Sequence, residues 1–530
     1  MSGQGGMEQR VLYNTASNYA AQIVTIGLGL LLTPFLLHNL GPTAYGLWVL
    51  VSSVAGYGAL LDFGIASAIV KYTSEYQARS EQTQADSLVA TAVGLYLLLG
   101  LTAILLGLVL APIFPRLFSV PPGNEATASW LVLLAGINVG VAIPSATTTG
   151  ILRGLHRFDL ANLIGIGGTL LNALLTVAVV LAGGNLVGMM VVAIFVTAIM
   201  QIPSIVLIHR VAPNLRLLWR AADRSQLRTV AGFSSSTFIT NLAGQLKTKT
   251  DEIVIGLFLP LAAVTPYALA NRLSETAQIF AQQFIKVLLP IASMYDATEA
   301  SARLRTLYVL STRLTLAIFV PFACVLVVLA QPLLTLWVGA AYAGSTVLVL
   351  ILTLARLFDI SQWPAASVLT GMARHHPLAV ISIGSGVVNL VLSLILVQRY
   401  GVIGVALGTL IPATLETLLL KLPLARREIG VSWRQVVTQM FWPALGPAVP
   451  ALLVLLALRV IWAPASLAAV AVTGAAGLSV YAGCYLLFGA TADELRLYST
   501  ATKGAFSSIQ HGLQQIRQKT IDRYGGRSEQ

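Results

Sequence analysis

Charge is scarce in this chain. Only 10% of its 530 residues are Asp, Glu, Lys or Arg, against about a quarter in an ordinary soluble domain. With 56% apolar residues, that excludes a water-soluble globular protein and makes the bilayer the expected solvent. Cysteine is scarcer still: Cys324 and Cys484 are the only two, each inside an apolar run, so neither a disulfide framework nor a thiolate metal site is expected. None of the seven lysines follows a glycine, so the Gly-x-x-x-x-Gly-Lys phosphate loop is missing, and with it ATP hydrolysis by that route.

What is present is a succession of long apolar runs. Fourteen have the length of a membrane crossing, near 14–37, 45–70, 86–112, 128–150, 158–182, 185–209, 230–259, 263–289, 305–329, 344–370, 377–398, 401–422, 440–461 and 466–489. The first is too long for a signal-peptide core and lacks a small-residue cleavage site, so it is expected to remain in the mature protein. Assigning alternate connections to opposite sides gives one side 23 of the 32 basic residues and the other only Arg116, Arg399 and Arg459. The positive-inside rule then places both termini in the cytoplasm. The net charge of +12 reflects that topology, and no nucleic-acid partner is needed to explain it. The longest outside connection, 111–127, is short and nearly uncharged. A membrane glycosyltransferase, polymerase or ligase would need a catalytic loop there, so no enzyme activity is expected.

Six basic residues remain inside segments seven to ten: Lys247, Lys249, Arg272, Lys286, Arg313 and Arg356. Each costs about 2.5–3.5 kcal/mol near the bilayer centre unless paired or hydrated. Lys286 and Arg313 lie near cytoplasmic ends, where long side chains snorkel. For the rest, spacing offers Lys247 with Asp251, Lys249 with Glu252, Arg272 with Glu275 and Arg356 with Asp359, each three or four residues apart. The competing reading is a polar cavity with a cationic surplus that receives an anion.

The chain also repeats itself. Asn18, Ala20, Gln22 and Thr25 match Asn241, Ala243, Gln245 and Thr248 at an offset of 223, while Leu152, Gly154, Gly167, Asn172, Gly184 and Arg210 match Leu369, Gly371, Gly384, Asn389, Gly401 and Arg427 at 217. Two six-helix lobes in parallel repeat are expected, with two helices appended. Asn14, Asn18, Gln22, Thr25 and Gly29 form a stripe at helical spacing, as do Ser234, Thr237, Asn241, Gln245 and Lys249. Either the stripes face each other across a water-filled gap or they glue packed helices together.

The stretches "LHNLGPTAYGLWVLVSSVAGYGALLDFGIASAIVKY" (residues 37–72) and "TDEIVIGLFLPLAAVTPYALANRL" (residues 250–273) resemble the polysaccharide transporters, the Wzx-type oligosaccharide flippases of the multidrug/oligosaccharidyl-lipid/polysaccharide superfamily. The resemblance implies an all-α, V-shaped bundle of about fourteen transmembrane helices that moves a polyprenyl-pyrophosphate-linked oligosaccharide from the inner to the outer leaflet of a bacterial cytoplasmic membrane. It implies no cofactor and no metal. Expected partners are the lipid-linked oligosaccharide, membrane lipids, and a polysaccharide polymerase with its chain-length machinery. A peptidoglycan-precursor flippase and a drug/cation antiporter of the same superfamily are the alternatives.

The expected layout is a cytoplasmic N-terminus (1–13), an N-lobe (14–209), a linker (210–229), a C-lobe (230–422), a loop (423–439), two further helices (440–489) and a basic cytoplasmic tail (490–530). In the tail, Phe506, Ile509, Leu513 and Ile516 step at helical spacing, which suits an amphipathic surface helix, a partner-binding helix or a disordered tail. Substrate contacts are expected from Lys249, Lys247, Arg272 and Arg356 with Asn18, Gln22, Asn241 and Gln245. Asp62, Asp251, Asp359 and Glu416 are read as ion-coupling or structural carboxylates.

Overall fold

In hydrocarbon every backbone N–H and C=O must be satisfied within the chain, so apolar runs of this length fold as helices. The computed structural model describes residues 2–215, 226, 238, 241–242, 244–285, 288–374, 376–491 and 494, with side chains from residue 17 onward, residue 283 excepted. Among these residues the chain is helical, with no strand. We number the helices α1 (Ser2–Gly56), α2 (Ile65–Ala78), α3 (Gln82–Leu117), α4 (Glu125–Gly154), α5 (Phe158–Leu181), α6 (Leu186–Ile199) and α7 (Gln201–Val211). After residues 216–249 follow α8 (Thr250–Phe258), α9 (Val264–Ile285), α10 (Leu288–Ala297), α11 (Ser301–Val338), α12 (Thr346–Ser361) and α13 (Trp363–Gly371). The series closes with α14 (His376–Leu415), α15 (Leu422–Ile429), α16 (Ala448–Trp462) and α17 (Leu467–Cys484). Ten helical segments among the described residues are long and apolar enough to cross a membrane.

Two of those segments fold back on themselves at glycine. Gly41 (φ 80) interrupts α1 and Gly401 (φ 57) interrupts α14, both in the left-handed region that a side chain resists. Past Gly401 the chain reverses: the Asn389 amide donates to the Gly408 carbonyl at 3.1 Å, nineteen residues on, where a straight helix would hold them about 28 Å apart. Gly29 and Ser53 likewise line one cavity on either side of Gly41.

The repeat suggested by residue matches recurs in the backbone. Positive φ falls at Ser80 and Glu299, at Ser119 and Gly339, at His156 and Ala373, and at Gly183 and Gly401, separated by 219, 220, 217 and 218 residues. The matched glycines serve matching contacts. A Cβ on Gly154 would lie 2.7 Å from Thr73 of α2, and one on Gly371 would lie 2.7 Å from Ala292 of α10. Small residues at such crossings let helices approach where no hydrophobic drive exists between them.

Two basic residues are not where spacing put them. Arg313 does not snorkel: it is buried and paired with Glu494 at 2.8 Å, a partner 181 residues away that no local spacing reveals. Lys421, one of the 23 basic residues counted above on the cytoplasmic side, is buried in a helical turn (416–421) and paired with Glu416 at 2.8 Å. It therefore contributes nothing to orientation. Lys286, the linker from 216 to 225 and the tail helix expected after Lys503 lie outside the described residues.

Candidate functional site

The charged stretch Lys247-Thr-Lys-Thr-Asp-Glu252 sits at a helix break in the seventh apolar run (230–259). Residues 244–248 are helical, Lys249 is a turn, and α8 restarts at Thr250 with Asp251 and Glu252 in its first turn. A helix C-terminus attracts cations and an N-terminus attracts anions, so the charge order follows the two half-helices. The expectation of one continuous segment from 230 to 259 is corrected accordingly.

None of the four expected intrahelical pairs forms: the break separates Lys247 from Asp251 and Lys249 from Glu252, while Arg272 with Glu275 and Arg356 with Asp359 stay unpaired within the unbroken helices α9 and α12. Lys247 pairs across helices with Glu416 (2.5 Å) and Asp359 (3.7 Å). Its former candidate Asp251 is instead buried under the hydroxyls of Tyr267 and Thr409. Arg356 reaches Glu275 (3.6 Å) and donates to Asn271 Oδ1 (3.0 Å), leaving Asp359 to Lys247 and the Trp363 indole. Among the described residues neither Lys249 nor Arg272 has a carboxylate within 4.0 Å. Cross-helix partners at fixed depth satisfy a buried charge more fully than neighbours on one helix, whose other side faces the same cavity.

Lys249 and Arg272 meet in a central cavity of about 340 Å³. Its walls come from both halves of the chain: Gly29, Thr33, Tyr45 and Trp48 of α1, Asn172 of α5, and Glu252, Asn271 and Glu275. The Arg272 guanidinium packs against Gly29, where a Cβ would sit 1.6 Å from one of its nitrogens. One end is closed. The Thr265 hydroxyl donates to Pro42 O (2.7 Å), the Trp337 indole donates to Leu30 O (2.8 Å), and a Cβ on Gly46 would fall 2.2 Å from Leu261 O. Toward the other end a larger cavity of about 710 Å³ is lined by Asp62, Asn241, Gln245 and Thr248.

The remaining candidates scatter. Lys247, Arg356 and Asp359 line a separate cavity of about 170 Å³, though Arg356 touches the central one through Asn271. Asn18 does not face the second stripe; it accepts from the Asn162 amide of α5 at 2.6 Å, which makes the first stripe interhelical glue there. Gln22 lines none of the three cavities. Ser234 and Thr237 lie outside the described residues. Asp62 accepts from the backbone of Gly64 and Ala66, both at 3.1 Å, and from Tyr96, so it caps α2. Sequence reasoning noted Asn172 only as a repeat match to Asn389 and passed over Asn271, whose only signal was an amide in an apolar run.

A family profile described as "polysaccharide biosynthesis protein" matches residues 38–347. The chain is similar to a probable flippase, AglR, of Haloferax volcanii, with 24% identity over 76% of this chain and 81% of the relative. It is also similar to an uncharacterized membrane protein, EpsK, of Bacillus subtilis, with 22% identity over 76% and 80%. Among solved structures, the lipid II flippase MurJ in an inward closed conformation superposes with a TM-score of 0.70 at 13% identity, over 90% of this chain and 98% of that one. An inward-facing transporter of the multidrug resistance MATE family superposes at 0.67, with 15% identity over 77% and 94%. These likenesses establish the fold.

Proposed function

We propose that this chain, which belongs to the polysaccharide biosynthesis protein family, is a flippase that carries a polyprenyl-pyrophosphate-linked oligosaccharide from the inner to the outer leaflet by alternating access. Its two repeat-related halves would form the lobes on either side of the central cavity. Fourteen crossings follow if the two folded segments count twice and residues 230–289 supply two more. The observation that carries the reading is the pair Lys249 and Arg272, two cations without a carboxylate partner among the described residues, in a cavity built from both halves and sealed at one end. Those cations suit a pyrophosphate, which Arg engages with two donors and Lys as a point charge.

The sealed end carries the turns at Gly41, 259–263 and 339–345, which the charge distribution puts outside, so this is an inward-open state. Moving two negative charges outward, down an inside-negative potential, releases about 5 kcal/mol per 100 mV, a drive that needs no nucleotide. Deleting the gene in its bacterial host should make a lipid-linked glycan accumulate on the cytoplasmic side, cleared by complementation. Normal surface glycan in the deletion strain would contradict the reading.

A further inference from the structure

A second polar cavity, of about 420 Å³, lies among α4, α5, α6 and the start of α7. That size falls in the range of about 300–1,000 Å³ for small-molecule pockets. Its polar wall is amide and hydroxyl: Asn138, Ser145, Thr169, Asn172, Thr197 and Gln201, with no charged side chain among the residues that line it. Some of these bond to each other, Thr197 to Asn138 at 3.1 Å and Gln201 to Ser145, as interhelical glue would. Glue does not account for the open volume, nor for Asn172, whose Oδ1 is buried without a partner among the described residues. An unsatisfied amide in a membrane interior is costly unless something polar enters to meet it.

The repeat supplies a comparison within the molecule. Asn389, the counterpart of Asn172, also has a buried Oδ1 without a partner among the described residues, but its Nδ2 donates to Gly408 O and Thr409 Oγ1 of its own hairpin, both at 3.1 Å. In the first half the equivalent asparagine stands on the wall between this cavity and the cationic one, since Asn172 and Ala193 line both. The neighbouring walls thus divide by chemistry, charged on one side and neutral donor-acceptor groups on the other.

We infer that the α4–α5–α6 cavity is a subsite for an uncharged sugar residue attached to the pyrophosphate held by Lys249 and Arg272; this rests on the lipid-linked oligosaccharide reading above. A sugar ring presents hydroxyls that both donate and accept, which amides and hydroxyls match and cations do not.

Gly165 provides the test, since it lines the cavity and a Cβ added there meets nothing within 4 Å. Gly165→Leu should fill the space without a clash at its first atom. The purified full chain in nanodiscs would be titrated with polyprenyl pyrophosphate bearing a neutral disaccharide and with the same lipid lacking sugar. The expected ratio of dissociation constants is at least about tenfold in favour of the sugar, falling to about one in Gly165→Leu. Thr169→Val, which among the described residues loses only the hydroxyl's bond to Gly165 O at 2.8 Å, should lower the ratio in a fold left intact. Equal binding of both lipids by the parent protein, or a ratio unchanged in both variants, would overturn the subsite alone. Binding of neither lipid would overturn the flippase reading beneath it.

Discussion

The Lys247 ammonium sits 2.5 Å from the Glu416 carboxylate, 169 residues away, and not on Asp251 one helical turn along its own chain. Glu416 is almost fully buried and also holds Lys421 at 2.8 Å, so the three residues and Asp359 form one network between the seventh apolar run and the end of α14. A double-mutant cycle separates the two pairings. Lys247→Met with Glu416→Gln should show a coupling energy of about 0.5–3 kcal/mol in unfolding measurements in detergent, whereas Lys247→Met with Asp251→Asn should add within about 0.5 kcal/mol.

The start of the tail is part of the packed structure. Glu494 is buried against Arg313, and the Thr491 amide donates to it at 2.6 Å. Truncation after Ala490 should therefore strand a buried guanidinium and cost about 3–5 kcal/mol, seen as reduced abundance and earlier thermal unfolding. Truncation after Tyr498 should retain the parent stability.

Closure at the sealed end depends on Gly46. A side chain there meets the Leu261 backbone carbonyl, which cannot rotate aside as a side chain would. Gly46→Val should keep this end open, so that a cysteine at Ser52, on the wall of the central cavity, reacts with an impermeant thiol reagent from outside. The same cysteine with Gly46 intact should be protected, and transport should fall at least about tenfold in the valine variant.

Orientation is open to direct labelling. A cysteine near Ala340 or Gly184 should react from outside the cell, and one near Pro213 or Ser432 should not. Reversed labelling would invert the direction of transport argued from the charges.

How much of this was legible in the residues depends on distance along the chain. Apolar runs marked the helices, and the motif around Asn241 and Gln245 marked the repeat. The break at Lys249 was hidden because Thr and Lys carry no helix-stopping signal like proline, so two pairs were wrongly assigned across it; the other two lie within continuous helices, where Arg356 turns to Glu275 and Asn271 on a neighbouring helix. Glu416 and Glu494 could not be found as partners from 169 and 181 residues away. Gly41 lies in "LGPTAYG", where a turn was readable, but the seating of the Arg272 guanidinium against Gly29, where a Cβ would lie 1.6 Å from it, depends on packing between halves that no local pattern encodes.

The central claim is that Lys249 meets the pyrophosphate of the transported lipid. It is tested most directly by flipping in proteoliposomes, with a polyprenyl-pyrophosphate-linked oligosaccharide and an impermeant glycosidase that reports which leaflet holds the glycan. Lys249 has no carboxylate within 4.0 Å among the described residues, so its removal should leave folding intact. Lys249→Ala and Lys249→Gln should slow flipping by about tenfold or more, as loss of a charge-assisted contact of about 1.5–3 kcal/mol implies, while Lys249→Arg keeps most of it. Flipping at the parent rate by Lys249→Ala, at equal protein incorporation, would contradict the account.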